Sequence, residues 1–434
     1  MNPARARALY TLLWRLGLPL VAAYLLWRSL RQPEYRQHWA ERFGGTGALP
    51  APDDGGPVIW VHAVSVGETR AAQPLVEALA QAWPGCRFVL THMTPTGRAV
   101  GRQLAAAQGG RLVQRYLPYE LPGALSRFFE QTQPALGLIM ETEVWPNVMH
   151  AAREAQVPMV LANARLSAKS QRKGRRFSVL LRPALAAFTR VLAQTARDAQ
   201  RLRESGAKLV EVCGNTKFDI TPPAKLLARG HVWRQALPRQ VVLMAISREG
   251  EEQPLLDAWR ELPEPRPLLV IVPRHPQRFD EVAALIERSD FSLQRRSAWV
   301  EKPPPEAAAA DVWLGDSIGE MPTYYACADV ALLGGSYAPL GGQNLIEAAA
   351  CGCPLVMGPH TFNFEDAAQL AIEAGAAVRM PDIHGAVRRA VALANDPRRN
   401  DWVEAALAFA GSHRGATERM AQRIAMLLTG LDSA

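Results

Sequence analysis

The 434-residue sequence has no CxxC pair, no D-x-D motif and only five cysteines: Cys86, Cys213, Cys327, Cys351 and Cys353. An odd, scattered set is not a disulfide framework, and Cys351-Gly-Cys353 is too small a ligand set for a zinc site. The thiols are expected to be small core residues in a reducing compartment. No repeat motif is shared between the two halves. Acidic residues are the scarcer sign of charge, 41 Asp and Glu against 49 Lys and Arg, a net charge of +8. That balance points to an anionic partner without choosing among nucleic acid, phospholipid and acidic sugar. Hydrophobic and charged contents of 48% and 21% are globular values, which argues against a large disordered region, and the length suits two domains.

Long apolar runs are also scarce. The single membrane-grade segment is residues 9–26, LYTLLWRLGLPLVAAYLL, interrupted by Arg15. It sits at the lower limit of length for a spanning helix. Arginines flank it at positions 5, 7, 28, 31 and 36, and Tyr10, Trp14, Tyr24 and Trp27 supply interfacial aromatics. No small-residue cleavage site follows Ala22-Ala23, so a membrane anchor is favoured over a signal peptide. Hydropathy does not separate a span from a helix lying in the membrane plane.

From Pro57 short apolar runs alternate with amphipathic segments. Residues 58–61, 88–90, 136–140, 159–161 and 209–212 read as buried strands, separated by helices such as 69–82 and 143–155. The rhythm lapses over residues 215–239, where Thr221-Pro222-Pro223 and Pro238 suggest a linker. It resumes with strands at 241–245, 268–272, 312–314, 330–333 and 355–357. This is the pattern of α/β parallel sheets covered on both faces.

The chain is organised around residues 328–364, ADVALLGGSYAPLGGQNLIEAAACGCPLVMGPHTFNF. A strand, a double-glycine loop with Gly341 and Gly342, and a helix capped by Asn344 offer free N–H groups to a phosphate. Glu347 in the first turn either accepts the hydroxyls of a ribose or closes a capping box with Asn344. Both readings stand at this point.

The segment resembles the nucleotide-binding signature of the Kdo transferases, which move 3-deoxy-D-manno-octulosonic acid from its CMP derivative onto a lipid A precursor. Collinear stretches carry the same resemblance: SVGET (65–69), THMTPTG (91–97), YLPYELP (116–122), METEVWPN (140–147), NARLS (163–167) and KFD (217–219). EGEE (249–252), VPRHPQRF (272–279), GDSIGEM (315–321) and GPHTFNF (358–364) complete the set. The resemblance implies a GT-B glycosyltransferase with two Rossmann-like domains facing a cleft. The expected division is a membrane anchor (1–30), an acceptor domain (31–220), a linker (221–239), a CMP-sugar domain (240–416) and a C-terminal helix (417–434) crossing back to the first domain.

Glu68 opens a helix after the Ser65-Val66-Gly67 turn, where a carboxylate can take a proton or simply favour the helix dipole. The resemblance implies that it is the catalytic base. Ser65, Gly67, Arg70, Thr94, Glu141, Glu143 and Arg165 are candidates for the acceptor side. Lys217, Arg274, His275, Asp316, Ser317, Gly319, Met321, Gly342, Asn344 and Glu347 are candidates for the donor side. Arg274 and His275 directly follow a strand and can bond phosphate or the donor carboxylate. Without a D-x-D pair no metal is expected, and no cofactor. The basic run 165–190 is either a solvated helix face or a contact for anionic lipid or the phosphates of a lipid A precursor. No RNA-binding motif accompanies it, so the partners expected are CMP-Kdo, a lipid A precursor and membrane phospholipid, not nucleic acid.

The sequence departs from the family pattern at Ile246, Arg248 and Gln343, where the family often has Ser, His and His. The expectation is an inverting Kdo transferase at the cytoplasmic face of the inner membrane. The competing readings are a GT-B enzyme using another activated sugar and a silent membrane scaffold.

Overall fold

The computed structural model of the protein describes residues 2–45, 47 and 56–431. Met1 of the expected anchor, parts of the stretch between residues 46 and 55, and residues 432–434 of the expected C-terminal helix lie outside them. The chain divides into two compact units: Met1–Asp219 with Arg414–Ala434, and Ile220–His413.

The first unit is built on a seven-stranded parallel sheet in the order β3-β2-β1-β4-β5-β6-β7. Its strands are β1 (Val58–His62), β2 (Arg87–His92), β3 (Leu112–Tyr116), β4 (Leu136–Met140), β5 (Met159–Ala164), β6 (Arg190–Ala193) and β7 (Val210–Val212). The central strands are apolar on both faces because helices cover both. Along β1, Val58 and Trp60 enter one core cluster with Phe128 and Phe129, and Ile59 and Val61 enter the other, as the two-residue strand period requires. The last helix, Ala416–Leu431, contributes Ala416, Met420, Ile424 and Leu428 to the second cluster, beside Leu75 and Leu79 of the Val66–Ala82 helix. Four residues at four-residue spacing form one buried stripe, each large one worth about 1.5–3 kcal/mol of apolar burial. Asp219 fixes the entry to that helix by accepting from the N–H groups of Gly415 and Thr417.

The second unit repeats the architecture in the order β10-β11-β9-β8-β12-β13-β14. Its strands are β8 (Val241–Ser247), β9 (Leu268–Pro273), β10 (Leu293–Arg295), β11 (Val312–Leu314), β12 (Val330–Leu333), β13 (Leu355–Met357) and β14 (Ala377–Arg379). The stretch read as a linker holds a helix, Ala224–Gln235, whose Trp233 is wholly buried among Trp299, Trp313 and Tyr324. Pro223 is the N-cap of this helix, so the prolines that suggested a linker mark a helix start instead.

Candidate active site

In both sheets the chain reverses its direction of strand addition beside the first strand, between β1 and β4 and between β8 and β12. Such switch points leave a crevice at the carboxyl ends of the strands. The sequence-expected residues follow the carboxyl ends of strands in both units, Glu68 after β1 and Glu141 after β4 in the first, Arg274 after β9 and Gly342 after β12 in the second.

In the first unit, Ser65 caps the Val66–Ala82 helix, and its Oγ donates to Glu68 Oε1 at 3.1 Å. Glu68 Oε2 accepts from the Val64 N–H at 2.8 Å. Thr94 caps the helix of the next strand and donates to the Val64 carbonyl at 3.1 Å. Val64 is thus held from both sides, and with it the carboxylate that opens the helix. Burial pushes the Glu68 pKa up to about 7 against the Val64 hydrogen bond, and the charges of Glu141 and Glu143 add to the rise. A carboxylate at that value is half ionised near neutral pH and suited to taking a proton. Gly67 and Arg70 are exposed on the same first turns.

Glu141 follows β4 with φ at +58°, a strained value for a residue with a side chain. The strain turns its carboxylate into a buried ion-pair network: Lys217 Nζ is 2.6 Å from Oε1 and Arg165 Nε is 3.3 Å from Oε2. Burial alone would raise the Glu141 pKa, but Lys217 and Arg165 outweigh it and hold the group below the usual carboxylate range. With both oxygens facing cations, Glu141 is poorly suited to a metal. Among the described residues no three His, Cys, Asp or Glu side chains gather as metal ligands. Glu143, only partly buried, keeps its proton more readily than usual, through desolvation first, with the charge of Glu141 adding to the rise. Lys217, expected on the donor side, is brought to Glu141 and Arg165 in the first unit. His62 is a core residue, bonded through Nδ1 to Thr91 Oγ1 at 2.9 Å, with its pKa pushed down to about 3 by burial.

In the second unit Arg274 and His275 leave β9 exposed, and Arg274 N–H bonds the Ser247 carbonyl at 3.0 Å. Partial burial lowers the His275 pKa, and Arg248, Arg274 and Arg278 lower it further. These cations form one basic cluster at the ends of β8 and β9. Asp316 accepts from Ser297 N–H through Oδ1, and from Arg295 Nε and Ser297 Oγ through Oδ2. Its side chain therefore braces the turn. Ser317 Oγ lies 2.7 Å from the Tyr324 hydroxyl, Gly319 has φ of +82°, and Met321 begins the next helix.

Gly341 and Gly342 both take positive φ, and a side chain on Gly341 would strike the Asn363 amide at 2.4 Å. Asn344 Oδ1 accepts from the Ile346 N–H at 3.2 Å, capping Leu345–Ala350. Glu347 stands in the first turn of that helix. Two of the departures from the family pattern meet here. A side chain on Gly335 would lie 3.0 Å from Gln343 Nε2 and 3.6 Å from Arg248 Cγ. The third, Ile246, takes φ of +60° at an irregularity in the β8–β9 register, a costly conformation for a β-branched residue.

Two residues with structural parts in these sites had been given no role from the sequence. Glu251, almost wholly buried, accepts from four backbone N–H groups, those of Arg248 and Gly335 through Oε2 and those of Tyr337 and Ala338 through Oε1. It ties the β8 turn to the loop after β12. Asn163, at φ of +52°, accepts from Thr216 N–H at 3.1 Å and so fixes the approach to Lys217. Their membership in the EGEE and NARLS stretches was the available signal.

A family profile described as 3-deoxy-D-manno-octulosonic-acid transferase (kdotransferase) matches residues 37–220. A protein of Bordetella pertussis named 3-deoxy-D-manno-octulosonic acid transferase is 48% identical over 95% of this chain and 97% of its own. One of the same name from Haemophilus influenzae is 34% identical over 95% and 97%. Among solved structures, the S. aureus MnaA–UDP co-structure superposes with a TM-score of 0.58 at 16% identity, over 86% of this chain and 97% of that one. Two seven-stranded Rossmann-like units with this resemblance make the fold GT-B. With identity of this extent over nearly the whole length, the chain belongs to the 3-deoxy-D-manno-octulosonic acid transferase family of glycosyltransferases.

Proposed function

We propose that the protein transfers Kdo from CMP-Kdo to a lipid A precursor, lipid IVA, with inversion at the anomeric carbon. Glu68 is the base. It removes the proton from a glucosamine hydroxyl as the oxygen attacks, on the face opposite the departing CMP. The observation that carries this reading is the Glu68 carboxylate itself. It is held by Val64 N–H and Ser65 Oγ at a switch point and buried enough to titrate at about 7. Glu141, Lys217 and Arg165 shape the acceptor side, and Lys217 and Arg165 offer positive charge to an acidic substrate group.

On the donor side, Arg274 and His275 bind the nucleotide phosphate and neutralise the charge that develops as CMP leaves. Backbone groups of residues 316–321 read the base. Gly342, Asn344 and Glu347 hold the remainder of the nucleotide, Glu347 on the ribose. The reaction uses no metal, and the protein works at the cytoplasmic face of the inner membrane. Five cysteines, all free, fit a reducing compartment.

The test is mass spectrometry of the product formed from CMP-Kdo and a tetra-acylated lipid A precursor, with and without exhaustive EDTA. A Kdo adduct formed equally in both is expected. No adduct would sink the acceptor assignment, and activity lost to EDTA and restored by Mg²⁺ or Mn²⁺ would sink the metal-free mechanism.

A further inference from the structure

The N-terminal helix, Pro3–Ser29, is long and apolar enough to cross a bilayer, yet protein already occupies one of its faces from end to end. Ala6, Thr11, Leu25 and Ser29 are buried. Tyr10, Trp14, Leu18, Val21 and Arg28 are partly sheltered between them, which completes a stripe at three- and four-residue spacing. Specific contacts pin the stripe along its length. Asn147 Nδ2 donates to Thr11 Oγ1 at 3.0 Å, and Trp14 stacks on Tyr119 with ring centroids 5.8 Å apart. Leu25 joins a cluster with Tyr35 and Tyr119, and Arg36 Nε donates to Ser29 Oγ at 2.9 Å. All these partners belong to the first unit, whose sheet and helices form an ordinary α/β core. A helix seated along that body cannot cross a bilayer unless it leaves the seat and exposes the whole stripe.

Among the described residues none packs closely over the opposite face. Leu9, Leu12, Leu13, Leu16, Leu20, Trp27 and Leu30 are exposed, Leu16 at 68% and Leu20 at 75%. An apolar strip this long on a soluble body marks a contact surface. The helix contains no acidic residue and carries Arg5, Arg7, Arg15 and Arg28. By helical periodicity Arg15 falls on the flank between the docked stripe and the leucines. It would lie deep in hydrocarbon if the helix spanned, but reaches the phosphate level if the helix lies flat. At the N-terminal end, a cavity of about 340 Å³ opens between this helix and the helices Pro146–Glu154 and Ser178–Ala186. Arg7, His150 and Arg153 line it together with Val179 and Leu180. Phe177 and Val179 are exposed, and the helix just before them, Ala168–Arg175, buries none of its residues and ends in Arg172, Lys173 and Arg175. Cations and apolar groups thus run together, the pairing that an anionic bilayer surface takes.

We propose that the N-terminal helix stays docked on the first unit when the protein is on a membrane and lies in the plane of an anionic bilayer. Its leucine face enters the acyl region, and its arginines meet the lipid phosphates. The inference rests on the reading of the protein as one that works at a membrane.

Two variants of the full chain test it. Asn2→Cys in inner-membrane vesicles is treated with an impermeant maleimide. Labelling beyond that of the wild type's own cysteines is expected only in inside-out vesicles, where the cytoplasmic face is outward, and such added labelling only in right-side-out vesicles would overturn the proposal. Thr11→Cys with Asn147→Cys locks the helix to its seat by a disulfide. The locked protein is expected to float with phosphatidylethanolamine–phosphatidylglycerol vesicles as the wild type does, and loss of flotation on locking would show that the helix must undock. Equal flotation on phosphatidylcholine alone would overturn the anionic partner. A stable dimer in solution that shields the leucine face would overturn the lipid partner altogether. A wild type that floats with no vesicle would sink the membrane reading itself, an outcome distinct from flotation with the Asn2→Cys thiol labelled from the far side.

Discussion

Replacing Glu68 with glutamine separates catalysis from stability, because the structure predicts opposite signs for the two. In the folded protein burial lifts the carboxyl from its ordinary 4.5 to about 7. Holding the group ionised there costs about 3 kcal/mol relative to the unfolded chain, since each pH unit of displacement is worth about 1.4 kcal/mol. The sign follows from proton binding. Between pH 4.5 and 7 the folded state keeps a proton that the unfolded state has lost, so wild-type stability falls as pH rises through that window. Glutamine never ionises, and its amide oxygen can still accept from Val64 N–H while its nitrogen faces Ser65 Oγ. Glu68→Gln should therefore match the wild type near pH 4, gain on it through the window and exceed it by up to about 3 kcal/mol above pH 7.

Turnover should move the other way. Loss of the base should lower kcat by about 10²-fold or more, with CMP affinity nearly unchanged. Wild-type kcat/KM should rise about tenfold per pH unit below 7 and then level off, while the variant's profile should be flat there. The measurements are paired urea melts at pH 5 and pH 8, a pH–rate profile, and calorimetric titration of CMP. Near-normal turnover by the variant would remove Glu68 from the mechanism. A variant less stable than wild type at pH 8 would show that Glu68 is a structural cap whose charge the fold needs.

Three further substitutions probe the neighbouring contacts. Lys217→Met leaves Glu141 buried with Arg165 alone and should destabilise the first unit by about 3 kcal/mol at pH 7. The Glu141 pair stabilises above the ordinary carboxylate pKa and is lost as pH falls through its lowered folded value, so the penalty in urea melts should shrink in acid; one independent of pH would mean the pair is not ionic. Glu251→Gln sets an amide nitrogen against two of the four N–H groups that the carboxylate now holds, and should weaken CMP binding about tenfold by loosening the loop after β12; unchanged calorimetric affinity would confine Glu251 to folding. Glu347→Gln should leave the melting temperature nearly unchanged and cost about 1.5–3 kcal/mol of CMP binding, roughly ten-fold to a hundred-fold, whereas equal affinities would leave Glu347 only a helix-capping role.

Most of the strands legible in the sequence were buried on both faces; the exception is 209–212, read as a buried strand, which gives the edge strand β7, with Leu209 and Val212 exposed. The runs 136–140, 312–314, 330–333 and 355–357 coincide with β4, β11, β12 and β13, because a central parallel strand is apolar at every position. The strands missed were mostly edges. β3, β10 and β14 stand at the margins of their sheets, and most of their residues are only partly buried, so they lack the continuous apolar run that marks a central strand. β6 lies inside its sheet but begins at Arg190, the end of a basic run that reads as a solvated face. Ala224–Gln235 was hidden differently: its burial rests on Trp233 and on Gly230, where a side chain would strike the Thr323 carbonyl at 2.3 Å. That close approach is tertiary and leaves no periodic trace.

The candidate sites divide along the same line. Glu68 and Asn344 were legible because each stands at a helix N-terminus, a local feature with its own residue preferences, whereas Thr94, also a cap, was reached only through its motif. Lys217 was legible only as part of a motif. Its contact with Glu141 joins residues 76 apart in sequence, and only the topology that carries the chain from β4 to β7 brings them together. The departures at Arg248 and Gln343 behave in the same way. They are 95 residues apart, yet their side chains converge on Gly335, whose N–H is held by Glu251. Arginine at 248 joins Arg274 and Arg278 around His275 and lowers that imidazole's pKa further. Charge that a neutral imidazole at 248 would not supply at neutral pH is therefore fixed in this chain. The basic cluster of the second unit thus depends less on pH than the family pattern implies, and on the proposed reading of Glu68 as the base the pH dependence of turnover is expected to follow that carboxylate.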